Sequence, residues 1–290
     1  MKGYALNKKK SSIWKISGAV FLVMLLAGLA TACAGRNGQE GQGEEIAQPL
    51  EQKLPDAANA EEGNAEAETE LEDEPGDTDS GQPEYLKVLI EMGVPVPDRE
   101  VDFEDLKENV NEDIYAWVYI PDSKIDYPVL QHPIDNYYYL NYNLDGSYGY
   151  PGCIYTESYN KRDFSDPLTV MYGHNMKNGT MFAGLHKYED AEYFKGHPYV
   201  YIYTPEKLYV YRIFVSHEYS SEHLLYRQDY TKKSEFEKYI NRIMAVRGMN
   251  CNRAEDVEVT ADSHILVLST CMADKPDNRY LVQGVLLNED

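Results

Sequence analysis

The sequence predicts a mainly β fold, a closed sheet of short strands with helices at its N-terminal end and one longer helix before the final strands. Three observations predict it. Short apolar or alternating runs recur from about residue 116 to 287, with turn residues between them. Tyrosine is unusually abundant, with 26 copies, and it favours strands and tolerates half-buried surfaces. Helical spacing, by contrast, is confined to three segments. Several short strands and few helices point to a closed sheet rather than an open one.

The chain begins with a different kind of segment. Lys2, Lys8, Lys9, Lys10 and Lys15 precede an uncharged apolar run over 16–34, closed by Arg36. A cationic flank before such a run is the pattern of an export signal or an anchor. Its length is near the roughly 20 residues that span a bilayer. The lysines would stay in the cytoplasm and the rest of the chain would cross. Two readings of residues 1–35 stay open: an uncleaved anchor helix, or a lipoprotein signal with lipid on Cys33. Leu29-Ala30-Thr31-Ala32-Cys33 resembles a lipobox, although Ala30 stands where leucine is usual. Both readings place the folded part on the outer face of the cell membrane.

The formal net charge is −22 and is unevenly spread. Between Cys33 and Tyr85 the only basic residues are Arg36 and Lys53, while acidic residues fill the stretch and aromatic ones are absent. Such a segment buries too little apolar surface to offset its ordering entropy. Residues 36–83 are therefore expected to form a disordered acidic linker that holds residues 84–290 away from the membrane. The acidity argues against nucleic acid as a partner.

Within 84–290 the elements follow in order. Residues 85–92 read as a short helix stopped by Gly93. Residues 101–110 read as a second, with Phe103, Leu106 and Val110 on one face and Asp102, Glu104 and Asp105 at its start. The period then changes. Strands are expected over 116–120, 125–130, 152–155, 168–172, 199–203, 208–215, 265–268 and 280–287. Thr204-Pro205-Glu206-Lys207 reads as a hairpin turn. One good helix interrupts them, with a capping box from Ser234 and Glu237, an apolar stripe of Phe236, Ile240, Ile243 and Met244, and Gly248 as its stop.

The chemistry centres on one thiol. Cys153, Cys251 and Cys271 are the cysteines of the expected domain, and an odd number leaves at least one free. The apolar run 265–268 ends in Ser269-Thr270-Cys271, so a strand holds the cysteine rigidly while its sulfur can face a cleft. Arg279 opens the returning strand, where a guanidinium can donate to a developing oxyanion. His174 follows the apolar run 168–172 just as Cys271 follows its own. Were these two strands paired, the side chains would meet as a Cys/His nucleophilic unit. His132, His186, His197, His217, His223 and His264 are weaker candidates, and no His/Cys spacing matches a zinc site. A buried structural cysteine is the competing reading of Cys271.

These residues resemble the sortase family, class B in particular. The resemblance rests on Tyr172-Gly173-His174-Asn175-Met176-Lys177-Asn178-Gly179-Thr180-Met181-Phe182, on Leu268-Ser269-Thr270-Cys271 with Arg279 after a short loop, and on Ala116-Trp117-Val118-Tyr119-Ile120-Pro121 running into 125–129. It covers about residue 84 to the C-terminus. Val267 departs from the threonine that many sortases carry. The resemblance implies an eight-stranded β-barrel with N-terminal helices and a long helix before the cysteine strand. It implies a transpeptidase with Cys271, His174 and Arg279 as catalytic residues. Thr270, Ser269 and Asn175 are candidate substrate-binding residues beside them, Thr270 with core packing as its competing reading and Ser269 turned by alternation to the opposite face from Thr270, and nothing in the sequence calls for a cofactor or a metal. The transpeptidase's partners would be secreted proteins bearing a C-terminal sorting signal cut after threonine, and a peptidoglycan-precursor or pilin amine. Two alternatives stay open: an extracytoplasmic Cys/His hydrolase of peptides or cell wall, and a non-catalytic binding lipoprotein. Papain-like wall peptidases place cysteine before histidine, the reverse of the order here.

Overall fold

A computed structural model describes residues 83–289. The expectations for the anchor or signal, for Cys33 and for the linker up to residue 82 lie outside the described residues.

The described part opens with α1 (Glu84–Glu91) and α2 (Phe103–Asn109). The Asp102 side chain caps α2 by accepting from the Asp105 N–H, 2.9 Å away. Then come β1 (Ile114–Tyr119), β2 (Asp126–Leu130), the single turn α3 (Tyr138–Asn141), β3 (Ile154–Thr156) and β4 (Leu168–Tyr172). A 3₁₀ helix (Phe182–Glu189) and α4 (Ala191–Gly196) lead to β5 (Tyr199–Tyr203) and β6 (Leu208–Ser220). Next are α5 (Leu224–Arg227), α6 (Lys233–Ala245), β7 (Asn252–Arg253), β8 (Ile265–Cys271) and β9 (Asn278–Leu286).

The strands run in the order β5-β1-β2-β3-β4-β8-β9-β6, and a further β5–β6 pairing closes the ring. Eight strands thus form a barrel, and the two-residue β7 hangs on β6 outside it. The β5–β6 hairpin turns through 204–207, where the Thr204 N–H donates to the Lys207 carbonyl. Two neighbouring pairs are parallel, β2–β3 and β4–β8, and the rest of the ring is antiparallel.

Alternation along β8 explains two layers at once. Leu266 and Leu268 point into the barrel with Met171, Tyr280 and Val282. Ile265 and Val267 point outward, under the stripe Phe236, Tyr239, Ile240 and Ile243 of α6. Burial on both faces is why 265–268 reads as an unbroken apolar run. A third cluster packs Leu89 of α1 and Phe103 of α2 on Ile114, Trp117 and Tyr201 at the other side of the ring.

Three local expectations need correction. The Ser234/Glu237 capping box does not form: α6 starts at Lys233 with Lys232 as N-cap and no side-chain cap, so Ser234 lies inside the first turn. Gly248 does not stop α6, which ends where Val246 takes an extended conformation. The strand expected over 208–215 continues to Ser220, because β9 offers it partners as far as Asn278.

Candidate active site

β4 and β8 lie side by side in parallel, with Tyr172 opposite Ser269. The last rung is the Gly173 N–H donating to the Ser269 carbonyl at 3.2 Å. Beyond it the two chains part, and a groove of about 380 Å³ opens at this end of the barrel. His174, Cys271 and Arg279 all line it.

Each arrives by a local rule. On β8, alternation continues past Val267 to put Ser269 and Cys271 on the outward face, toward the groove. Thr270 turns inward, and its hydroxyl donates to the Gly173 carbonyl at 2.8 Å, tying the end of β4 to the end of β8. Cys271 stands opposite Arg279 in the β8–β9 register. The next residue, Met272, donates its N–H to the Asn278 carbonyl. In an antiparallel ladder this makes 271/279 a non-hydrogen-bonded pair, the kind whose Cα atoms come within about 4.5 Å and whose side chains lie closer. Thiol and guanidinium are neighbours by register, not by chance folding of a loop.

The path to His174 needs Gly173. A Cβ there would fall 2.5 Å from Ile154 Cδ1 and 2.7 Å from Phe182 Cγ. Only glycine lets the chain pass so close to the barrel rim before the histidine. The His174 ring is then held by a backbone group: Nε2 lies 2.8 Å from the Leu140 carbonyl, with the edge of Tyr150 against the ring. A carbonyl only accepts, so Nε2 carries the proton and the neutral ring keeps Nδ1 as its basic nitrogen. This orienting group is a main-chain oxygen 34 residues earlier, which no side-chain motif announces.

Arg279 is steadied through Nη1 by the Pro276 and Asn278 carbonyls, both at 3.1 Å. Its Nε and Nη2 make no hydrogen bond to the described residues and remain available to a ligand in the groove. Asn175 faces elsewhere: its Nδ2 lies 2.9 Å from the Cys271 carbonyl and 3.0 Å from His186 Nε2.

The three described cysteines are all free thiols, in different settings. Cys153 is buried beside Tyr142 and Tyr139, and burial pushes its thiol up to about 12. Burial also raises Cys251, against the opposing pull of Arg253 and Arg247. Cys271 is the one in the groove, half-buried, with a guanidinium opposite.

A second pair in the groove escaped the sequence reading. Glu157 is only 2% exposed, and its Oε1 lies 2.9 Å from His223 Nε2. Burial raises the carboxyl above its usual range and the His223 hydrogen bond opposes that. No short spacing links residues 157 and 223; the barrel brings them together.

A barrel whose open end gathers a thiol, an imidazole and a guanidinium defines a cysteine enzyme suited to acyl transfer. Known proteins share both sequence and fold. The family model described as the Sortase domain matches residues 118–287, over half of the chain, and the chain belongs to the sortase family. Its relatives place it in class B. It is 32% identical over 184 residues to sortase B of Listeria monocytogenes serovar 1/2a, spanning 63% of this chain and 73% of that protein. It is 26% identical over 169 residues to sortase B of Staphylococcus aureus, spanning 58% and 67%. The solved structure of Clostridium perfringens sortase B matches with a TM-score of 0.57 and 28% identity, covering 64% of this chain and 99% of that one. It is therefore a cysteine transpeptidase acting on sorting-signal substrates.

Proposed function

We propose that Cys271 is the nucleophile, His174 the general acid and base, and Arg279 the group that stabilises the oxyanion. The observation that carries this is the register: Cys271 and Arg279 form one cross-strand pair, and the parallel neighbour β4 delivers His174 into the same groove. His174 Nδ1 takes the Cys271 thiol proton as the sulfur attacks the carbonyl of the threonine in a C-terminal sorting signal. The tetrahedral oxyanion is met by Arg279. His174, its Nε2–H still anchored on Leu140, gives that proton to the leaving amine as the threonine C–N bond breaks, and later takes one from the incoming amine. Between these steps the acyl group is held as a thioester, which keeps its energy for the new amide.

Ser269 shares the outward face with Cys271 and serves as a substrate contact. Thr270 acts on the groove through the carbonyl of Gly173. The acceptor is an amine of a peptidoglycan precursor or a pilin. Residues 1–35, as an anchor helix or through lipid on Cys33, hold the enzyme on the outer face of the cell membrane.

The test is to incubate the protein with a library of sorting-signal peptides and an amine, and to follow both by mass spectrometry. The expected result is an acyl adduct on Cys271 and a ligated product, both lost in Cys271→Ala. A ligated product that persists in Cys271→Ala would sink the assignment.

A further inference from the structure

The carbonyl of Cys271 presents a backbone problem. Because 271/279 is a non-hydrogen-bonded pair, that carbonyl points away from β9, toward the side where β4 should continue. β4 does not continue: its last rung is Gly173 on Ser269. The main chain then turns away, the His174 carbonyl accepting from the Phe182 N–H and Asn175 bridging to Met181. The carbonyl of the nucleophile's own residue is thus left without a strand partner at the rim.

Side chains fill the gap. Asn175 Nδ2 lies 2.9 Å from that oxygen, and His186 Nε2 lies 3.0 Å from it. Asn175 Nδ2 and His186 Nε2 are also 3.0 Å apart. Behind them His186 Nδ1 meets Glu189 Oε1 at 2.7 Å. The 3₁₀ helix explains the last contact, since with three residues per turn positions 186 and 189 eclipse each other. The imidazole also stacks on Tyr280 of β9, with centroids 5.3 Å apart at 28°.

The proton positions follow from the partners. The Glu189 carboxylate only accepts, so Nδ1 carries a proton. The Cys271 carbonyl also only accepts, and Asn175 Nδ2 donates to it; the Asn175 amide and the His186 ring sit side by side against that one oxygen.

We propose that Glu189, His186 and Asn175 form a positioning chain that clamps the Cys271 carbonyl and so aims its sulfur at the bound acyl group. None of the three touches substrate through this chain; they act through the nucleophile's backbone. The clamp lies on the face of β8 opposite β9, while His174 is held separately by Leu140. Nucleophile and base therefore have independent supports. The inference rests on Cys271 being the nucleophile.

The test measures steady-state ligation by the full-length protein, with a peptide that acylates Cys271 and a primary amine. Asn175→Ala and His186→Ala are each expected to lower kcat by about ten- to a hundredfold with KM held within about twofold, the signature of lost orientation. The double variant is expected to be little worse than either single one, because both break the same chain. Glu189→Gln, which still accepts from Nδ1, is expected to exceed Glu189→Ala several-fold. Thermal unfolding of each variant separates orientation from loss of fold. Losses that follow the melting temperature, effects that multiply in the double variant, or a raised KM at unchanged kcat would each overturn the clamp. Cys271→Ala distinguishes the two levels: if it abolishes ligation while the clamp variants stay near wild type, only this inference fails.

Discussion

The two halves of β8 are built from one strand and do opposite work. The half at Ile265–Leu268 is buried on both faces, with Leu266 and Leu268 in the barrel and Ile265 and Val267 under α6. The half at Ser269–Cys271 keeps the alternation but ends at the groove: Ser269 and Thr270 are still buried, β4 ends at Tyr172, and Cys271 is the residue that emerges half-exposed. The outward positions that hold Ile265 and Val267 in one half hold Ser269 and Cys271 in the other. Rigidity comes from the closed half and reactivity from the open one.

The sharpest way to test this contrast is at its open end. Cys271→Ala is expected to lower ligation by at least about 10³-fold while the melting temperature stays near the parent's, measured by product formation and calorimetry. Arg279→Lys keeps the charge but loses the planar fork, and kcat is expected to fall by about 10²-fold with little change in stability. Equal ligation by that variant would mean that charge alone suffices.

Gly173→Ala acts where the two halves join. Its Cβ would collide with Ile154 and Phe182, so overpacking of about 1–3 kcal/mol is expected, together with displaced His174 and at least about tenfold lower kcat. A variant of parent stability and activity would show that the rim yields. At the closed end the effect should reverse: Ile265→Val is expected to cost about 1 kcal/mol in denaturant unfolding while kcat of the folded enzyme is unchanged.

The smallest effect concerns the thiols. The folded Cys153 thiol keeps its proton up to about 12, whereas an unfolded thiol releases it at about 8.5. Between those values the folded state binds the extra proton, so stability falls as pH rises through the window. Cys153→Ala should flatten that fall between pH 8 and 11, read by urea unfolding. In the native protein at neutral pH, iodoacetamide should label Cys271 and leave Cys153 untouched. Labelling of Cys153 at a comparable rate would break the distinction between a buried and a groove thiol.

Much of this was legible in the chain. The runs at 168–172 and 199–203 correspond to β4 and β5 residue for residue, because continuous burial leaves a continuous apolar signature. The stripe of Phe236, Ile240 and Ile243 marked α6, although its cap did not, since a two-residue shift of the start moves Ser234 out of capping reach. The return of Arg279 toward Cys271 followed from a short loop between two strand patterns. Ser269 was harder to place: alternation puts it on the cysteine's face and Thr270 on the other, but only the packing of Leu266 and Leu268 inside the barrel and of Ile265 and Val267 under α6 shows which face is outward. The Leu140 carbonyl, the Glu157–His223 pair and the clamp from His186 left no local pattern. They are contacts across 34, 66 and 85 residues, and two of them use backbone oxygens that every residue carries.

The sequence by itself determined the eight barrel strands, the helices α1, α2 and α6 and the residue types that carry the chemistry, because periodicity and side-chain reactivity are local properties, whereas the short helices α3, α4 and α5 and the 3₁₀ helix are too brief to show a period. Tertiary structure alone decided which faces meet at the open end of the barrel, what orients His174, and what holds the Cys271 carbonyl. Those depend on where β4 stops relative to β8, and ring closure sets that register through contacts that lie far apart in the chain.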